Sequence, residues 1–421
     1  MKRIETMRNI DATVRIPGSK SFTQRALVAA FLAEGGSLLR NALLSEDSIG
    51  LMEALKDLGA EIRIEGVDVG VTGRGGRLRN PGRSIFLGDN GTAMRFLTSL
   101  VSLGEGEYTL TGTERLCLRP IGALVDALRS LGVDARSAGG DGFPPVVLNA
   151  EGLPGGQVVF KDIVSSQFVS SLMMCAPYAR KETVITLEGP VRSYPYLEMT
   201  REVMEAFGVP VHQDRPNRFR ISGRERYRNR EYPVEGDASS ASYFFLAAAI
   251  CGGRVRVENL NPGTRQGDIG FAAVLEKLGC RVIRGENWVE VWGGDLNRGE
   301  YAFDLGNMPD MVPGLAVLAT RRFGLTLIRN VGHLRFKESD RLQALATELC
   351  RVGIHARETD DGLAVEGGPA KGAAIETYKD HRMAMSFAIL GLVVPGIAIR
   401  NPGCVGKSFP DFWEKLGGLY R

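Results

Sequence analysis

Residues 51–64, LMEALKDLGAEIRI, contain the pattern that decides the fold, a helix that ends at a glycine and leads into a strand. Apolar residues recur at helical spacing up to Leu58, and Ile62 and Ile64 then alternate with polar residues as in a half-buried strand. Gly59 stands between the two segments, where helices often end in a left-handed residue that glycine adopts without strain. The pattern therefore predicts one helix followed directly by one strand.

The same pattern recurs five more times along the 421-residue chain. The further copies are LVDALRSLGVDARS at 124–137, REVMEAFGVPVHQD at 201–214, FAAVLEKLGCRVIR at 271–284, LATELCRVGIHARE at 345–358 and the shorter FPDFWEKLGGLY at 409–420. The six glycines lie at positions 59, 132, 208, 279, 353 and 417, which are spaced by 73, 76, 71, 74 and 64 residues. One helix–glycine–strand pattern occurs in any α/β protein, but this even spacing indicates a repeated unit.

The length of the chain and the repeats together predict two domains. A chain of 421 residues exceeds what one hydrophobic core usually supports, and six units divide evenly into three per domain. Breaks near Gly18 and near Gly236 enclose the first three repeat glycines, so we expect the chain to cross between domains at these points. The predicted domains are residues 18–235, and residues 1–17 together with 236–421.

The composition excludes several classes of protein. The 52 basic and 49 acidic residues are interspersed and aromatic residues make up 7%, whereas a nucleic-acid-binding protein typically shows a basic stripe with aromatic residues between the cations. The six cysteines form no CxxC pair, which favours a reducing compartment. The four histidines show no metal-ligand spacing, so we expect no metal site.

Neither end of the chain nor its interior predicts a membrane segment. The first ten residues lack the apolar stretch of a signal peptide. The longest apolar run, at 383–399, is interrupted by Pro395 and Gly396 and is too short to span a bilayer securely. We interpret this run as a buried helix, a turn and a strand.

Polar residues that could bind an anion lie at predicted helix starts or tight turns. The stretches are IPGSKS at 16–21, LGDNGTAMR at 87–95, RP at 119–120, VSSQF at 164–168, SYPY at 193–196, KESDR at 337–341 and DHR at 380–382, with Lys407 beyond them. Asp237 and Asp310 also begin apolar helical stretches. Helix N-termini favour anions, although each stretch alone is also consistent with helix capping or a solvated helix start. Together they predict a cleft between two domains for a small substrate with several negative charges.

Ten motifs in a fixed order carry a resemblance to a known family. They are PGSKSxTxR, GDNGTAMR, RPIGALVDAL, SSQF, SYPY, EGDASSASYF, QGD, KESDR, DHRMAM and CVGKSFPDF. Over nearly its whole length the chain resembles the 5-enolpyruvylshikimate-3-phosphate synthase family. The resemblance implies an α/β (α+β) fold, a two-domain inside-out barrel of six repeated helix/strand units, three per domain, with the active site in the inter-domain cleft.

The resemblance also implies an activity and the residues that carry it. The family transfers the enolpyruvyl group of phosphoenolpyruvate to the 5-hydroxyl of shikimate 3-phosphate, releases phosphate and needs no metal or organic cofactor. The residues implied for shikimate 3-phosphate are Lys20, Ser21, Arg25, Ser165, Ser166, Gln167, Ser193, Asp310 and Lys337. The residues implied for phosphoenolpyruvate are Lys20, Gly91, Arg119, Gln167, Arg341, Arg382 and Lys407.

Three of these residues are implied to be catalytic. Asp310 would be the general base on the substrate hydroxyl, Glu338 would protonate the methylene carbon, and Lys20 would contact both substrates. We further expect a cytoplasmic monomer whose partners are its two small substrates, with neither nucleic acid nor membrane among them.

The sequence departs from the family pattern at four positions. Asp89 and Asn90 stand where the family commonly has Asn and a small residue, and Phe96 stands where many members have Pro. His333 stands where an Asn contact to the substrate is common. We expect these departures to bear on phosphoenolpyruvate affinity, on the response to glyphosate-type inhibitors and on one contact to the shikimate ring.

Two alternative functions remain open at the level of sequence. UDP-N-acetylglucosamine enolpyruvyltransferase resembles the same family in fold and uses a reactive cysteine, and Cys117 lies two residues before Arg119. That enzyme would show Lys-Asn in place of Lys20-Ser21, so we interpret Cys117 as a small apolar residue packed between Leu116 and Leu118. A non-catalytic or nucleic-acid-binding protein on the same scaffold is the second alternative.

Overall fold

A computed structural model of the chain describes residues 1–420, and Arg421, the last residue of the predicted second domain, lies outside them. The chain divides into two compact units. Gly18–Val234 forms one, here called the central unit, and Met1–Pro17 together with the chain from Glu235 onward forms the other, here called the terminal unit. Glu235 belongs to the terminal unit because its carboxylate accepts hydrogen bonds from Asn261 and Thr264 of that unit.

The helices and strands follow one another in a regular order. The terminal unit begins with β1 (Lys2–Arg3) and β2 (Ile10–Arg15). The central unit contains α1 (Lys20–Leu32), β3 (Glu34–Arg40), α2 (Glu46–Asp57), β4 (Glu61–Glu65), β5 (Asp68–Arg74), β6 (Ile85–Phe86), α3 (Gly91–Val101), β7 (Glu105–Thr111), α4 (Glu114–Cys117), α5 (Gly122–Ser130), β8 (Asp134–Ser137), β9 (Val146–Glu151), β10 (Gly156–Lys161), α6 (Gln167–Cys175), β11 (Thr183–Glu188), α7 (Pro195–Ala206), β12 (His212–Arg215), β13 (Arg218–Ile221) and β14 (Glu231–Pro233).

The terminal unit then continues to the end of the described chain. Its further elements are α8 (Ala238–Cys251), β15 (Gly253–Glu258), α9 (Phe271–Lys277), β16 (Arg281–Arg284), β17 (Trp288–Trp292), β18 (Tyr301–Asp304), α10 (Val312–Ala319), β19 (Leu325–Arg329), α11 (Arg341–Arg351), β20 (Ala356–Glu358), β21 (Leu363–Glu366), β22 (Ala374–Ile375), α12 (His381–Gly391), β23 (Ala398–Ile399) and α13 (Phe412–Gly417). Short 3-10 helices lie at Ala176–Tyr178, Gly267–Gly270, Pro309–Met311, Gly332–Phe336, Pro402–Lys407 and Gly418–Tyr420.

The strands form six sheets, three in each unit, which confirms the repeated α/β organisation predicted from the sequence. Five sheets have four strands in one topology, in which a parallel pair is extended by an antiparallel hairpin; their orders are β14-β3-β5-β4, β6-β7-β9-β8, β10-β11-β13-β12, β2-β15-β17-β16 and β18-β19-β21-β20. The sixth sheet keeps the parallel pair β22 and β23, but β1 replaces the hairpin.

The repeat glycines have the predicted left-handed conformation in five of the six copies. Gly59, Gly132, Gly208, Gly279 and Gly353 have φ angles of 108°, 91°, 87°, 104° and 85°, and each directly follows the C-cap residue of its helix. The prediction was wrong for Gly417, which lies within α13. The reason is that the sixth copy has no hairpin to enter after its helix, so no left-handed turn is required there.

The chain passes from one unit to the other twice, and an asparagine holds each passage. Asn41 follows β3 with a φ of 55°, and its Nδ2 donates to the carbonyl of Val234 at 3.0 Å. Asn259 follows β15 with a φ of 52°, and its side chain exchanges two hydrogen bonds with the backbone of Ile16, at 3.0 and 2.8 Å. A glycine faces each asparagine, since a Cβ at Gly18 would lie 1.9 Å from the carbonyl oxygen of Asn41.

Each unit has its own hydrophobic core, built from the apolar faces of its helices and sheets. In the terminal unit α8 is buried along its whole length, as expected for a helix that is apolar on every side. The apolar run at 383–399 is most of α12, a turn and β23, which confirms the sequence interpretation. Within residues 1–420, a helix with the length and apolar character needed to cross a bilayer is not found.

Candidate active site

The start of α1 places a cation beside a buried carboxylate in the central unit. The Ser19 side chain caps the helix, and Lys20 is the first helical residue. Lys20 Nζ lies 3.2 Å from Asp47 Oδ2, and the two side chains are 16% and 7% exposed. Asp47 itself lies in the first turn of α2, where the dipole favours a negative charge. The ammonium group of Lys20 is therefore held at the start of a helix rather than extended into solvent.

The start of α3 is tied to the starts of three other helices. Asn90 caps α3 by accepting from the backbone N–H of Ala93 at 2.9 Å, and its Nδ2 donates to the carbonyl of Asp47 at 2.6 Å. Gln167, which begins α6, donates from Nε2 to the hydroxyl of Thr92 at 3.0 Å. Together with the Lys20–Asp47 contact, these bonds bring the first turns of α1, α2, α3 and α6 together. Several helix N-termini in one place form a region suited to an anion.

Gly91 is required where two arginines approach the start of α3. A Cβ at this position would lie 2.5 Å from Arg95 Nη1 and 2.6 Å from Arg119 Nη2. Both arginines are buried, and Arg95 donates to the carbonyls of Gly91 and Pro120, each at 2.9 Å. The absence of a side chain at Gly91 therefore leaves the space that the Arg95 and Arg119 guanidinium groups occupy.

Arg25 is a buried guanidinium surrounded by neutral groups. It donates to the Thr200 hydroxyl at 2.8 Å, to the Ser170 hydroxyl at 3.4 Å and to the carbonyls of Ser21 and Tyr196 at 3.0 and 3.1 Å. Burial lowers the pKa of Arg25 to about 10 because these neutral groups do not replace the lost hydration of its charge. A negative charge brought to Arg25 would restore that stabilisation.

Hydroxyl groups of the central unit lie at the starts of α6 and α7. Ser165 Oγ accepts from the backbone N–H of Gln167 at 3.3 Å. Ser166 is buried at the N-cap position of α6, yet its side chain makes no capping bond. Ser193 is buried in the left-handed conformation with a φ of 58°, just before α7. Capping, the alternative considered for these serines, therefore does not account for Ser166.

Arg341, the first residue of α11, is the centre of an ion-pair cluster in the terminal unit. Its Nη1 lies 2.7 Å from Asp310 Oδ1, and its Nη2 lies 2.9 Å from Glu338 Oε2. Its Nε lies 2.7 Å from Asp380 Oδ2. Burial would lower the pKa of Arg341, but the charges of the three carboxylates outweigh burial and raise this pKa above its ordinary value. One guanidinium thus holds the predicted base and the predicted acid.

Asp310 is also paired with the second arginine of the cluster. Arg382 Nη2 lies 2.7 Å from Asp310 Oδ2, and Arg382 Nη1 donates to the hydroxyl of Tyr243 at 3.2 Å. Asp380 caps α12 by accepting from the backbone N–H of Arg382 at 2.9 Å, and it accepts from the Ser339 hydroxyl at 3.1 Å. Arg341 and Arg382 are therefore placed on either side of Asp310.

A further carboxyl, Asp268, lies close to this cluster. It belongs to the 3-10 helix Gly267–Gly270, which packs against the 3-10 helix that carries Asp310. The hydroxyl of Ser239 donates to one of its oxygens. Burial, and then the charge of Asp310, raise the pKa of Asp268 to about 7.

The remaining predicted residues of the terminal unit lie next to the cluster in the chain or in the fold. Lys337 follows the 3-10 helix Gly332–Phe336, is half-buried and directly precedes Glu338. Lys407 is 6% exposed and ends a 3-10 helix that packs against α12. His333, one of the four departures from the family pattern, is buried in the 3-10 helix before Lys337.

Comparisons with known proteins show which family the chain belongs to. The family model described as EPSP synthase (3-phosphoshikimate 1-carboxyvinyltransferase) matches residues 4–416. The chain belongs to the EPSP synthase family. The 3-phosphoshikimate 1-carboxyvinyltransferase of Trichormus variabilis is 45% identical over 97% of this chain and 96% of its own length. The enzyme of the same name from Syntrophobacter fumaroxidans is 42% identical over 99% of both chains.

Solved structures support the same family. A structure of EPSP synthase from Acinetobacter baumannii superposes with a TM-score of 0.82, shares 28% sequence identity and covers 99% of this chain and 97% of that chain. A second structure of the Acinetobacter baumannii enzyme gives a TM-score of 0.81 at 27% identity. The two-domain α/β fold implied by the motifs is therefore shown.

The structure brings the predicted family residues together within each unit. In the central unit, bonds between helix starts connect the surroundings of Lys20, Gly91 and Gln167. In the terminal unit, Asp310 and Glu338 are joined through Arg341. Across residues 1–420, a group of three or more side chains that could hold a metal ion is not found.

Sequence reasoning missed several residues that complete these arrangements. Asp47, Arg95, Asp268 and Asp380 were not among the predicted site residues, although the last three lie inside quoted motifs. A sequence signal for Asp47 was available, because Ser45 is a typical N-cap residue and predicts that Asp47 lies in the first turn of a helix. Cys117, interpreted from the sequence as a small apolar residue, is half-buried in the single turn of α4, between the buried Leu116 and Leu118, which is 64% exposed.

Proposed function

We propose that this chain transfers the enolpyruvyl group of phosphoenolpyruvate to the 5-hydroxyl of shikimate 3-phosphate and releases inorganic phosphate. Its membership of the EPSP synthase family, whose relatives are named 3-phosphoshikimate 1-carboxyvinyltransferases, supports this reaction. The reaction belongs to the shikimate pathway, which leads to chorismate and the aromatic amino acids. The observation that carries the residue roles is that the Arg341 guanidinium binds both Asp310 and Glu338, at 2.7 and 2.9 Å.

The central unit supplies most of the proposed contacts to shikimate 3-phosphate. Arg25 is a buried cation with only neutral hydrogen-bond partners, which suits a ligand that brings its own negative charge. Hydroxyl and amide groups with fixed geometry suit the oxygens of a phosphate monoester and of a polyol ring. The residues proposed for this substrate are Lys20, Ser21, Arg25, Ser165, Ser166, Gln167 and Ser193, with Asp310 and Lys337 of the terminal unit.

Phosphoenolpyruvate carries a carboxylate and a phosphate, and the proposed contacts are mainly cations. Arginine offers two parallel N–H groups that match a carboxylate or a phosphate, and lysine offers a compact charge. The proposed residues are Lys20, Gly91, Arg119, Gln167, Arg341, Arg382 and Lys407. The start of α3 adds backbone N–H groups, and the missing side chain of Gly91 leaves room for the guanidinium groups of Arg95 and Arg119.

Asp310 and Glu338 are the proposed base and acid. Glu338 donates a proton to the methylene carbon of phosphoenolpyruvate, and the neighbouring carbon becomes electrophilic. The substrate hydroxyl attacks this carbon and gives its proton to Asp310. The attack forms a tetrahedral intermediate. Glu338 then takes a proton from the methyl group, and phosphate departs with the proton that Asp310 had accepted, which restores the double bond and both carboxyl groups to their starting states.

The ion pairs also place a condition on substrate binding. Asp310 accepts from Arg341 and Arg382, the two arginines proposed to hold phosphoenolpyruvate. The substrate anion must therefore share these guanidinium groups with Asp310 or displace it. Sharing is chemically reasonable because each guanidinium has five N–H donors.

We also propose the assembly and location expected from the family. The chain acts as a cytoplasmic monomer, with residues 18–235 and residues 1–17 with 236–421 as its two domains in an inside-out barrel. Its partners are the two small substrates, and neither a metal nor an organic cofactor is used.

The test is release of phosphate from phosphoenolpyruvate by the purified chain. Shikimate 3-phosphate and UDP-N-acetylglucosamine are offered as acceptors in separate reactions, and the enolpyruvyl product is identified by mass spectrometry. Release with shikimate 3-phosphate alone is the expected result. Release with the sugar nucleotide alone would assign the chain to the sister activity, and release with neither acceptor would leave a non-catalytic scaffold.

A further inference from the structure

Glu348 is a buried charge that none of the proposed roles uses. It lies on α11, seven residues after Arg341, and is fully buried. A buried carboxylate is unfavourable unless hydrogen bonds or a cation replace its hydration. Since seven residues make two helical turns, Glu348 lies on the same face of α11 as Arg341.

The hydrogen bonds of Glu348 lead to the turn that precedes α12. Its Oε2 accepts from the backbone N–H of Glu376 at 3.1 Å, and its Oε1 accepts from the hydroxyl of Tyr378 at 2.9 Å. Arg351, whose side chain is 46% exposed, completes the set at 2.9 Å from Oε2. Burial and the bond to Glu348 raise the pKa of Tyr378 to about 12, so the phenol keeps its proton and remains a donor.

The same turn is held in an unfavourable backbone conformation. Tyr378 and Lys379 have φ angles of 54° and 57°, and two successive non-glycine residues rarely adopt this left-handed region. Such a conformation persists only where surrounding contacts fix it. The next residue, Asp380, donates its backbone N–H to the carbonyl of Thr377 at 2.8 Å and then caps α12.

α11 therefore contacts residues 376–380 at two points on one face. At its start Arg341 binds the side chain of Asp380, and two turns later Glu348 binds the backbone of Glu376 and the side chain of Tyr378. The first contact involves a residue proposed to bind phosphoenolpyruvate, whereas the second lies outside the proposed site. The second contact fixes the turn from which Arg382 extends.

We propose that Glu348 is a positioning residue for phosphoenolpyruvate binding, which holds the strained turn at 376–379 so that Asp380 and Arg382 reach their places beside Arg341. The inference rests on the proposed function, because it takes Arg341 and Arg382 as ligands of phosphoenolpyruvate. It assigns Glu348 no contact with either substrate.

Four variants test the proposal. Glu348→Ala removes the anchor, and Glu348→Gln retains it, because the amide oxygen can accept from Glu376 while the amide N–H donates to the Tyr378 hydroxyl. Tyr378→Phe removes one of the two contacts. Arg351→Ala is the matched control, since it removes only the exposed partner of Glu348.

The expected result is a selective change in one Michaelis constant. Glu348→Ala should raise the KM for phosphoenolpyruvate by roughly 10- to 100-fold, the scale of a small misplacement of a binding group. The KM for shikimate 3-phosphate should stay within about twofold. Glu348→Gln and Arg351→Ala should remain close to the wild type, and Tyr378→Phe should lie between the wild type and Glu348→Ala.

Three outcomes would overturn the proposal. They are an unchanged KM for phosphoenolpyruvate in folded Glu348→Ala, equal damage in the Ala and Gln variants, and a parallel rise of both KM values. If Glu348→Ala does not fold, Tyr378→Phe decides, and an unchanged KM in that variant likewise overturns the proposal.

Hydrogen exchange separates this proposal from the proposed function. The backbone amides of residues 376–382 should exchange faster in Glu348→Ala or Tyr378→Phe than in Glu348→Gln, with or without substrates. If the wild-type chain releases no phosphate but these amides exchange faster in Glu348→Ala, the proposed function is overturned and the anchoring of the turn is supported. Unchanged exchange in an active enzyme would overturn the anchoring alone.

Discussion

Arg25 of the central unit and Arg341 of the terminal unit are equally buried, at 1% exposure, but their surroundings are opposite. Arg25 donates to hydroxyl and carbonyl oxygens, and burial lowers its pKa to about 10. Arg341 binds Asp310, Glu338 and Asp380, whose charges overcome burial and raise its pKa. The charge of Arg25 is therefore not balanced by its hydrogen-bond partners, whereas Arg341 already has anions of the protein itself.

The difference indicates how the two arginines contribute to the proposed reaction. In the proposed reaction, Arg25 would bind the charge of shikimate 3-phosphate without breaking an ion pair with a carboxylate. Arg341 combines binding with orientation, because the groups it holds are the proposed base and acid. Substitutions of the two arginines should therefore differ in their effect on the free energy of unfolding as well as on activity.

The largest effect is expected from removing the proposed acid. Glu338→Gln keeps the size of the side chain but removes the donated proton, so turnover should fall roughly 10²–10⁴-fold, the usual contribution of a positioned acid. Steady-state phosphate release measures the change, and the exposed Glu366 gives the control Glu366→Gln. Binding of shikimate 3-phosphate by calorimetry should be nearly unchanged. Turnover close to the wild type would exclude Glu338 as the acid.

The second effect concerns stability and contrasts the two arginines directly. Arg341→Met leaves three carboxylates without their common cation, which should lower the free energy of unfolding by about 3–5 kcal/mol, as for other broken buried ion pairs. Arg25→Met removes a charge that has no carboxylate partner, so the free energy of unfolding should change by about 1 kcal/mol or less. Urea unfolding compares the two variants, both of which should lose activity. Equal destabilisation would mean that the two surroundings do not differ energetically.

The fold could be predicted from sequence to a greater extent than the contacts of the site. Five repeat glycines were predicted correctly because a helix that turns directly into a strand needs a left-handed residue, a requirement local to a few neighbouring residues. The exception, Gly417, depends on β1, which comes from the other end of the chain and replaces the missing hairpin. Local pattern carries no information about such a distant strand.

The family resemblance supplied the candidate residues, including Arg341 and Asp310, but their pairing could not be predicted. The choice of Asp380 as the partner of Arg341 joins residues 39 positions apart. The raised pKa of Asp268 follows from burial and from a neighbouring carboxylate. Both depend on packing that becomes visible only once the helices have been placed.

The third prediction concerns the pH dependence of stability. Because the folded-state pKa of Asp268 is raised to about 7, its contribution to stability is fully present below its ordinary pKa near 4 and is lost as the pH rises through 7. The Asn side chain of Asp268→Asn is neutral at every pH. Between pH 4 and pH 7 the free energy of unfolding of this variant should therefore rise relative to that of the wild type by about 2–4 kcal/mol. Urea unfolding from pH 4 to pH 8 measures the gain, with the exposed Asp126→Asn as control. A constant difference across the window would mean that Asp268 is ionised in the folded protein at every pH tested.

The smallest effect is expected at Gly91, where an added side chain would occupy the space of an arginine. A Cβ there would lie 2.6 Å from Arg119 Nη2, so Gly91→Ala should displace the guanidinium and raise the KM for phosphoenolpyruvate roughly tenfold. Gly50→Ala is the matched control, since an added Cβ at Gly50 meets nothing within 4 Å. If Gly91→Ala leaves this KM unchanged, Arg119 can move without loss, and binding of phosphoenolpyruvate depends on the arginines of the terminal unit. A selective rise would instead show that the Arg119 guanidinium must keep its position for phosphoenolpyruvate to bind.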